Sequence, residues 1–116
     1  MIRPSTKKPE LDRRGSPRHS CSLDAFVIPG SHFCTVVEKS ENGLRLRFRR
    51  NYDGRAKLVI ILIASGQAFA ASAQWSNGAE VGALITSRCD LNGLVPSTFA
   101  EARHVWSRLK ASALPK

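Results

Sequence analysis

Cysteine is scarce in this chain of 116 residues, and its few copies lie far apart. Cys21, Cys34 and Cys89 are odd in number and show neither the framework of a disulfide-rich domain nor the spacing of a zinc knuckle. The N-terminal residues also lack the apolar segment of a secretory signal. These absences predict a protein of a reducing compartment, the cytoplasm.

Long apolar runs are missing as well. The longest, residues 58–73, is shorter than the about 20 residues that a membrane-spanning helix needs, and Ser65, Gly66 and Gln67 interrupt it. A membrane span is therefore not expected. With 42% of its residues apolar, the chain can still fill the core of one domain.

A set of catalytic groups is also lacking. Hydrolytic and acyl-transfer sites need a nucleophile, a base and an orienting group in one place, and the histidines at positions 19, 32 and 104 are scattered. His19 and Cys21 are two residues apart, as are His32 and Cys34, so each pair would share one face of a strand. This spacing matches no ordinary zinc motif, and strand cysteines are more often core residues. The sequence therefore predicts no enzyme, no cofactor and no metal site.

What the chain does have is basic charge, concentrated in two segments. Residues 1–20 hold six basic and two acidic residues, and residues 44–57 hold six basic and one acidic. Together they account for the whole formal charge of +9. A solvated surface is the simpler interpretation of any single arginine. Two separate clusters predict a local positive field and an anionic partner: a nucleotide, a nucleic acid or an acidic surface.

The organisation of the chain follows from its turn residues. Residues 1 to about 18 are rich in proline, serine and charge, which predicts a flexible basic arm, with residues 1–12 disordered. Short β-type runs separated by turn residues then occupy residues 13–95. The runs are residues 21–28, 31–39, 43–50, 57–63, 67–75 and 80–86. Six strands at this spacing predict an all-β antiparallel barrel or sandwich.

The third run alternates strictly between apolar and basic residues. Leu44, Leu46 and Phe48 fall on one face of a strand, and the arginines at positions 45, 47 and 49 fall on the other. The pattern predicts a half-buried strand with a basic outer face.

Residues 96–116 change to a helical pattern. Thr98 and Glu101 have the spacing of a capping box. Apolar residues recur at steps of three and four, at Phe99, Ala102, Trp106, Leu109 and Ala113. This predicts one amphipathic C-terminal helix that packs on the barrel and closes one of its ends.

Two short motifs carry the functional signal. Arg14 and Arg18 form RxxxR just before the first predicted strand, with Arg13 beside them. About twenty residues later, between the second and third runs, Glu38, Ser40 and Gly43 form acid-x-Ser-x-x-Gly. In this order the motifs resemble those of the PilZ domain family, RxxxR followed by Asp/Asn-x-Ser-x-x-Gly. The segment AQWSNGAEVGALI is similar to the family's later strands, so the resemblance covers residues 13–86.

The resemblance implies a six-stranded antiparallel β-barrel that binds cyclic di-GMP, a bacterial second messenger. Guanidinium groups suit its phosphates and guanine O6/N7 edges, and an acid can accept from guanine N1 and N2. A hydroxyl and a glycine with positive φ would let the ligand approach the backbone. The implied ligand-binding residues are Arg13, Arg14, Arg18, Glu38, Ser40 and Gly43. The departure is Glu38, whose carboxylate extends about a bond and a half beyond that of an aspartate, where hydrogen bonds tolerate little displacement.

The predicted function is a non-enzymatic sensor or adaptor that binds cyclic di-GMP and signals to a separate partner protein. Two alternatives stay open. One is a PilZ-like interaction module that has lost the ligand and works through the C-terminal helix or the Arg45, Arg47 and Arg49 face. The other is a basic β-barrel that binds nucleic acid. Nucleic acid is the less expected partner, because the outward positions of the basic strand carry arginines and no aromatic platform.

Overall fold

The structure is a computed structural model that describes residues 19–28, 30, 32–52 and 56–113, with side chains described up to residue 110. Over these residues, six strands close into an antiparallel barrel, followed by a helix. The strands are β1 (His19–Ile28), β2 (His32–Lys39), β3 (Gly43–Phe48), β4 (Lys57–Leu62), β5 (Gln67–Asn77) and β6 (Glu80–Asp90). They close in the order β1-β2-β3-β6-β5-β4. A 3₁₀ turn (Ser97–Phe99) leads into α1 (Ala100–Ala113), so the predicted fold class is confirmed for the barrel and helix. The predicted N-terminal arm lies outside the described residues.

Apolar side chains that alternate along the strands fill the barrel interior. Leu44, Leu46 and Phe48 of β3 are buried there, as the alternation predicted, while Arg45 and Arg47 face outward. The interior is filled by aliphatic and aromatic residues of all the strands, and this burial supplies the main stabilisation of the fold.

The helix α1 packs on the outer wall of the barrel. Phe26 of β1 and Ile61 of β4 point away from the interior and are buried against the helix, together with Trp106. The prediction that α1 closes one end of the barrel is therefore wrong. The physical reason lies in residues 25–28 and 58–62, which are apolar without interruption, so both faces of these strands require burial.

Trp106 anchors α1 to the turn between β4 and β5. Its indole N–H donates a hydrogen bond of 2.8 Å to the carbonyl oxygen of Ile63, and its ring lies over Gly66. Gly66 has a φ of +80°, and a Cβ atom added there would lie 2.5 Å from the indole. Both the backbone conformation and the close approach of the ring therefore require glycine at this position.

We expect Gly66→Ala to lower the free energy of unfolding by about 2–5 kcal/mol. A left-handed backbone costs a residue with a Cβ about 1–2 kcal/mol, and overpacking against a buried ring costs about 1–3 kcal/mol. Gly93→Ala is the matched control, because a Cβ at Gly93 meets only the Asp90 carbonyl oxygen, at 3.9 Å. Denaturant unfolding followed by circular dichroism compares the two variants. Equal losses of unfolding free energy in the two variants would show that position 66 has no special requirement for glycine.

Candidate ligand-binding site

The residues of the acid-x-Ser-x-x-Gly motif lie at the turn that joins β2 to β3. The backbone N–H of Ser40 donates to the Gly43 carbonyl oxygen at 3.0 Å, and the Ser40 hydroxyl accepts the Gly43 N–H at 3.1 Å. The positive φ expected at Gly43 is wrong, since the described glycines with positive φ are at positions 30, 66 and 78. Gly43 instead allows close packing, because a Cβ there would lie 3.2 Å from the Ala83 carbonyl oxygen.

This turn is fastened to β6 by main-chain oxygens. The backbone N–H of Ile85 donates to the Asn42 carbonyl oxygen at 2.8 Å, and Nη2 of Arg88 donates to the Glu41 carbonyl oxygen at 2.6 Å. Because both contacts hold the backbone, the turn is positioned before any ligand arrives.

A β-bulge decides where Glu38 points. The pairing of β2 with β3 shifts between Val36 and Glu38, so that Val36 lies opposite Leu46 and Glu38 lies opposite Arg45. Simple alternation would place Glu38 on the inward face with Val36, and the extra residue turns it outward. On this outer surface, Oε1 of Glu38 lies 3.9 Å from Nε of Arg45.

A second bulge brings a tryptophan to the same surface. The pairing of β5 with β6 shifts between Ala73 and Trp75, and Trp75 lies opposite Gly82. A Cβ atom added to Gly82 would overlap the indole, so the ring lies directly over the bare glycine backbone. The Trp75 side chain remains 46% exposed. The glycine therefore creates a shallow seat that holds an aromatic ring at the surface.

These residues form one row across the barrel wall. The cross-strand partners follow one another from β1 through β2, β3 and β6 to β5: Ser20, Glu38, Arg45, Gly82 and Trp75. A cavity of about 280 Å³ lies along the last four of them and is also lined by Lys39, Ser40, Gly43 and Leu84. The structure thus brings the three predicted residues of the turn together with Arg45 and Trp75.

Arg45 lies between two carboxylates without a hydrogen bond from its Nε. This atom is buried, and it lies 3.9 Å from Oε1 of Glu38 and 4.0 Å from Oε1 of Glu80, too far for hydrogen bonds. Glu80 is instead held by Arg47, whose Nη2 and Nε donate to its Oε2 at 2.8 and 3.0 Å. That hydrogen bond, with the charges of Arg47 and Arg45, lowers the pKa of Glu80 despite some desolvation. Arg45 therefore retains a donor for an acceptor bound in the cavity.

Arg13, Arg14 and Arg18 lie outside the described residues. The description of β1 begins at His19, which is the cross-strand partner of Lys39. The first strand therefore starts beside the residues of β2 that lead into the turn.

The paired histidines and cysteines do not converge on a metal. The antiparallel register places His19 at one end of the β1–β2 hairpin and His32 at the other, while Cys34 lies opposite Ala25 inside the barrel. Burial raises the pKa of the Cys34 thiol to about 12. In the described part of the chain, no group of three or more histidine, cysteine or acidic side chains is placed to hold a metal ion.

Arg45 and Trp75 were missed as site residues by the sequence reasoning, although a signal for Trp75 was present. Gly78 and a single further residue form the turn between β5 and β6, so counting back from it pairs Trp75 with Gly82. The alternation of β6 then puts both residues on the outer face. No comparable signal showed that Arg45 would share a cavity with the tryptophan.

No family model matches the chain, and no curated protein matches it. A solved structure of the Bacillus subtilis inhibitor of motility, MotI/DgrA, is similar to it, with a TM-score of 0.52 and 12% sequence identity. The match covers 90% of this chain and 55% of MotI/DgrA, so this chain spans about half the length of that protein. This similarity concerns the fold, and the closed six-stranded antiparallel barrel with one C-terminal helix is consistent with the PilZ-like fold that the sequence motifs predict. Within the described residues, none of the helical structure is long and apolar enough for a membrane crossing.

Proposed function

We propose that this chain is a non-enzymatic adaptor that binds cyclic di-GMP in the cavity beside the β2–β3 turn and transmits the signal to a partner protein. The observation that carries the proposal is the pairing of Ser20 with Glu38, which brings the start of β1 next to the turn. Arg18 directly precedes His19 in sequence, so RxxxR belongs to the segment that leads into β1. This neighbourhood in sequence supports a joint role of RxxxR and the second motif in binding one ligand.

The cavity has the chemistry that a guanine dinucleotide requires. Lys39 supplies positive charge for a phosphate, and the buried Nε of Arg45 can donate a hydrogen bond to a ligand oxygen that reaches it. Trp75 offers a half-exposed ring on which a purine can stack. A volume of about 280 Å³ holds part of the dinucleotide, leaving the rest over the rim, where Arg13, Arg14 and Arg18 are expected to contact it.

A PilZ-like module without ligand is the second candidate, and one observation favours it. The Ser40 hydroxyl is engaged with Gly43, and Glu38 lies near Arg45, so both motif side chains already have roles within the protein. MotI/DgrA is an inhibitor of motility, which is a regulatory role, and this supports an adaptor under either candidate.

Nuclear magnetic resonance locates the site directly. Titrating ¹⁵N-labelled protein with cyclic di-GMP is expected to shift the amides of Ser40 and Gly43, the indole N–H of Trp75 and the amide of Gly82. The indole N–H of Trp106, which donates to the Ile63 carbonyl oxygen and lies outside the lining of the cavity, is the internal control and should not move. A spectrum that does not change at saturating ligand would favour the module without ligand.

Glu38→Asp is expected to tighten cyclic di-GMP binding by about threefold to tenfold. The shorter side chain has the length of the aspartate in the PilZ motif and moves the carboxylate away from Arg45. One hydrogen bond to the ligand with improved geometry contributes about 1 kcal/mol, which corresponds to the expected change in affinity. Glu101→Asp makes the same chemical change at an exposed position of α1 that does not line the cavity, and it should leave the affinity unchanged. Calorimetric titration compares the variants, and weaker binding by Glu38→Asp would show that the glutamate is the better length.

A further inference from the structure

A second cavity, of about 1030 Å³, lies at the opposite end of β2 from the first. It is open to solvent, and its lining includes His32, Phe33, Arg47, Arg49, Arg50 and Tyr52. Neither RxxxR nor the β2–β3 turn contributes to its described lining, so the proposed ligand site leaves this surface without a role.

The apolar part of this surface is aromatic and exposed. Phe33 is 58% exposed and packs edge to face on Phe26, with ring centroids 4.7 Å apart. Nearby, Tyr52 stacks on Phe48 at 4.7 Å, and His32 meets Tyr52 edge to face at 5.7 Å. Phe33 therefore rests on the buried ring of Phe26 beside the area that α1 covers, and exposed aromatic side chains are common anchors at protein interfaces.

The positive charge of this surface lies on a few neighbouring side chains. Glu80 neutralises Arg47 through hydrogen bonds of 2.8 and 3.0 Å. Arg49 and Arg50 are exposed and make no hydrogen bond or ion pair with any other described residue. Asp24 lines the cavity on the β1 side, so among the described lining residues the positive charge without a hydrogen-bonded carboxylate lies just after β3, at Arg49 and Arg50.

This distribution suits an acidic peptide better than a nucleic acid. Single-stranded nucleic acid follows a basic groove over about four or more nucleotides, one phosphate at a time. Along the outer face of β3, however, Arg47 is hydrogen-bonded to Glu80 and Arg45 lies 3.9 Å from Glu38, so the positive charge of Arg49 and Arg50 does not continue along the strand. A short peptide segment with two or three carboxylates beside one large apolar side chain does not require an extended basic groove.

We propose that this surface docks a short acidic segment of a partner protein, with an apolar side chain on Phe33 and carboxylates on Arg49 and Arg50. The proposal does not depend on cyclic di-GMP, because Glu38, Ser40 and Gly43, the described residues named for that ligand, do not line this cavity. It gives the adaptor a separate surface for its output.

The test selects peptides without assuming their sequence. A random peptide library displayed on phage is panned on the wild-type protein, with counter-selection on the Arg49→Glu, Arg50→Glu variant. Enriched peptides are expected to combine acidic residues with an aromatic or large aliphatic one. No enrichment, or enrichment of neutral or basic peptides, would overturn the proposal.

The most enriched peptide is then synthesised with a fluorescent label, and its binding is measured by polarisation. Arg49→Glu, Arg50→Glu is expected to weaken binding at least about tenfold, and Phe33→Ser about fivefold. Arg103→Glu, Arg108→Glu, two exposed positions on α1, imposes the same change in net charge and should alter binding less than about twofold. Equal losses of peptide affinity in both charge-reversal variants would show that only the net charge of the protein matters, which would overturn the proposal. An oligothymidylate that binds more tightly than the peptide, and that loses its binding in Arg49→Glu, Arg50→Glu, would overturn the proposal and identify nucleic acid as the partner of this surface.

Discussion

Replacing Arg14 and Arg18 together by alanine is expected to weaken cyclic di-GMP binding by about a hundredfold or more. A hydrogen bond to a charged group contributes about 1.5–3 kcal/mol, and each guanidinium can make two of them to a phosphate or a guanine edge. Two arginines therefore contribute more than the about 2.8 kcal/mol that corresponds to a hundredfold change. Calorimetric titration of the double variant measures the loss.

A matched pair separates this effect from a change in net charge. Arg103 and Arg108 are exposed on α1 and line neither cavity, so their double alanine variant should bind cyclic di-GMP within about twofold of wild type. The described core lies within the barrel and against α1, so both variants should keep the wild-type melting temperature. An unchanged affinity in Arg14→Ala, Arg18→Ala would exclude RxxxR from the site.

Gly82→Val is expected to weaken cyclic di-GMP binding by about tenfold to a hundredfold while leaving the fold intact. A side chain at position 82 occupies the space of the Trp75 ring, which must swing away from the cavity. Stacking of a base on an aromatic ring is worth about 1–3 kcal/mol, and this contribution is lost with the platform. The barrel should tolerate the change, because the displaced ring is half-exposed and valine is favourable in a strand.

A double-mutant cycle tests whether Gly82 acts through Trp75. Trp75→Ala, Gly82→Val and their combination are compared by calorimetric titration. If the glycine serves only to seat the ring, the combined variant loses no more affinity than Trp75→Ala alone. Additive losses would mean that position 82 contacts the ligand itself or changes the barrel.

The period of the strands was readable from the sequence, and their irregularities were not. The alternation of Leu44, Leu46 and Phe48 fixed both faces of β3, and the turn residues gave the number of strands. The bulges before Glu38 and before Trp75 depend on how two strands pair, which no single run reveals. Each bulge moves a side chain from the inward to the outward face, and those two side chains help to form the cavity.

The site residues that are neighbours in sequence could be predicted, and those brought together by strand pairing were missed. The turn motif placed Glu38, Ser40 and Gly43 together because they are neighbours in sequence. Counting back from the β5–β6 turn pairs Trp75 with Gly82, but the contribution of Arg45 depends on β3 lying beside β6, which is a property of barrel closure. The local order of residues therefore predicts one wall of the cavity, and the topology of the barrel supplies the other.

Whether this protein binds cyclic di-GMP is tested by calorimetric titration of the unmodified protein at near-physiological salt. Cyclic di-AMP is titrated in parallel, because it has the same phosphates and lacks the guanine edges. We expect saturable binding of cyclic di-GMP with a dissociation constant of about 1 μM or below, and at least about tenfold weaker binding of cyclic di-AMP. Absence of saturable binding, checked by an independent method, would contradict the claim, and equal affinity for both would leave a phosphate site without guanine recognition.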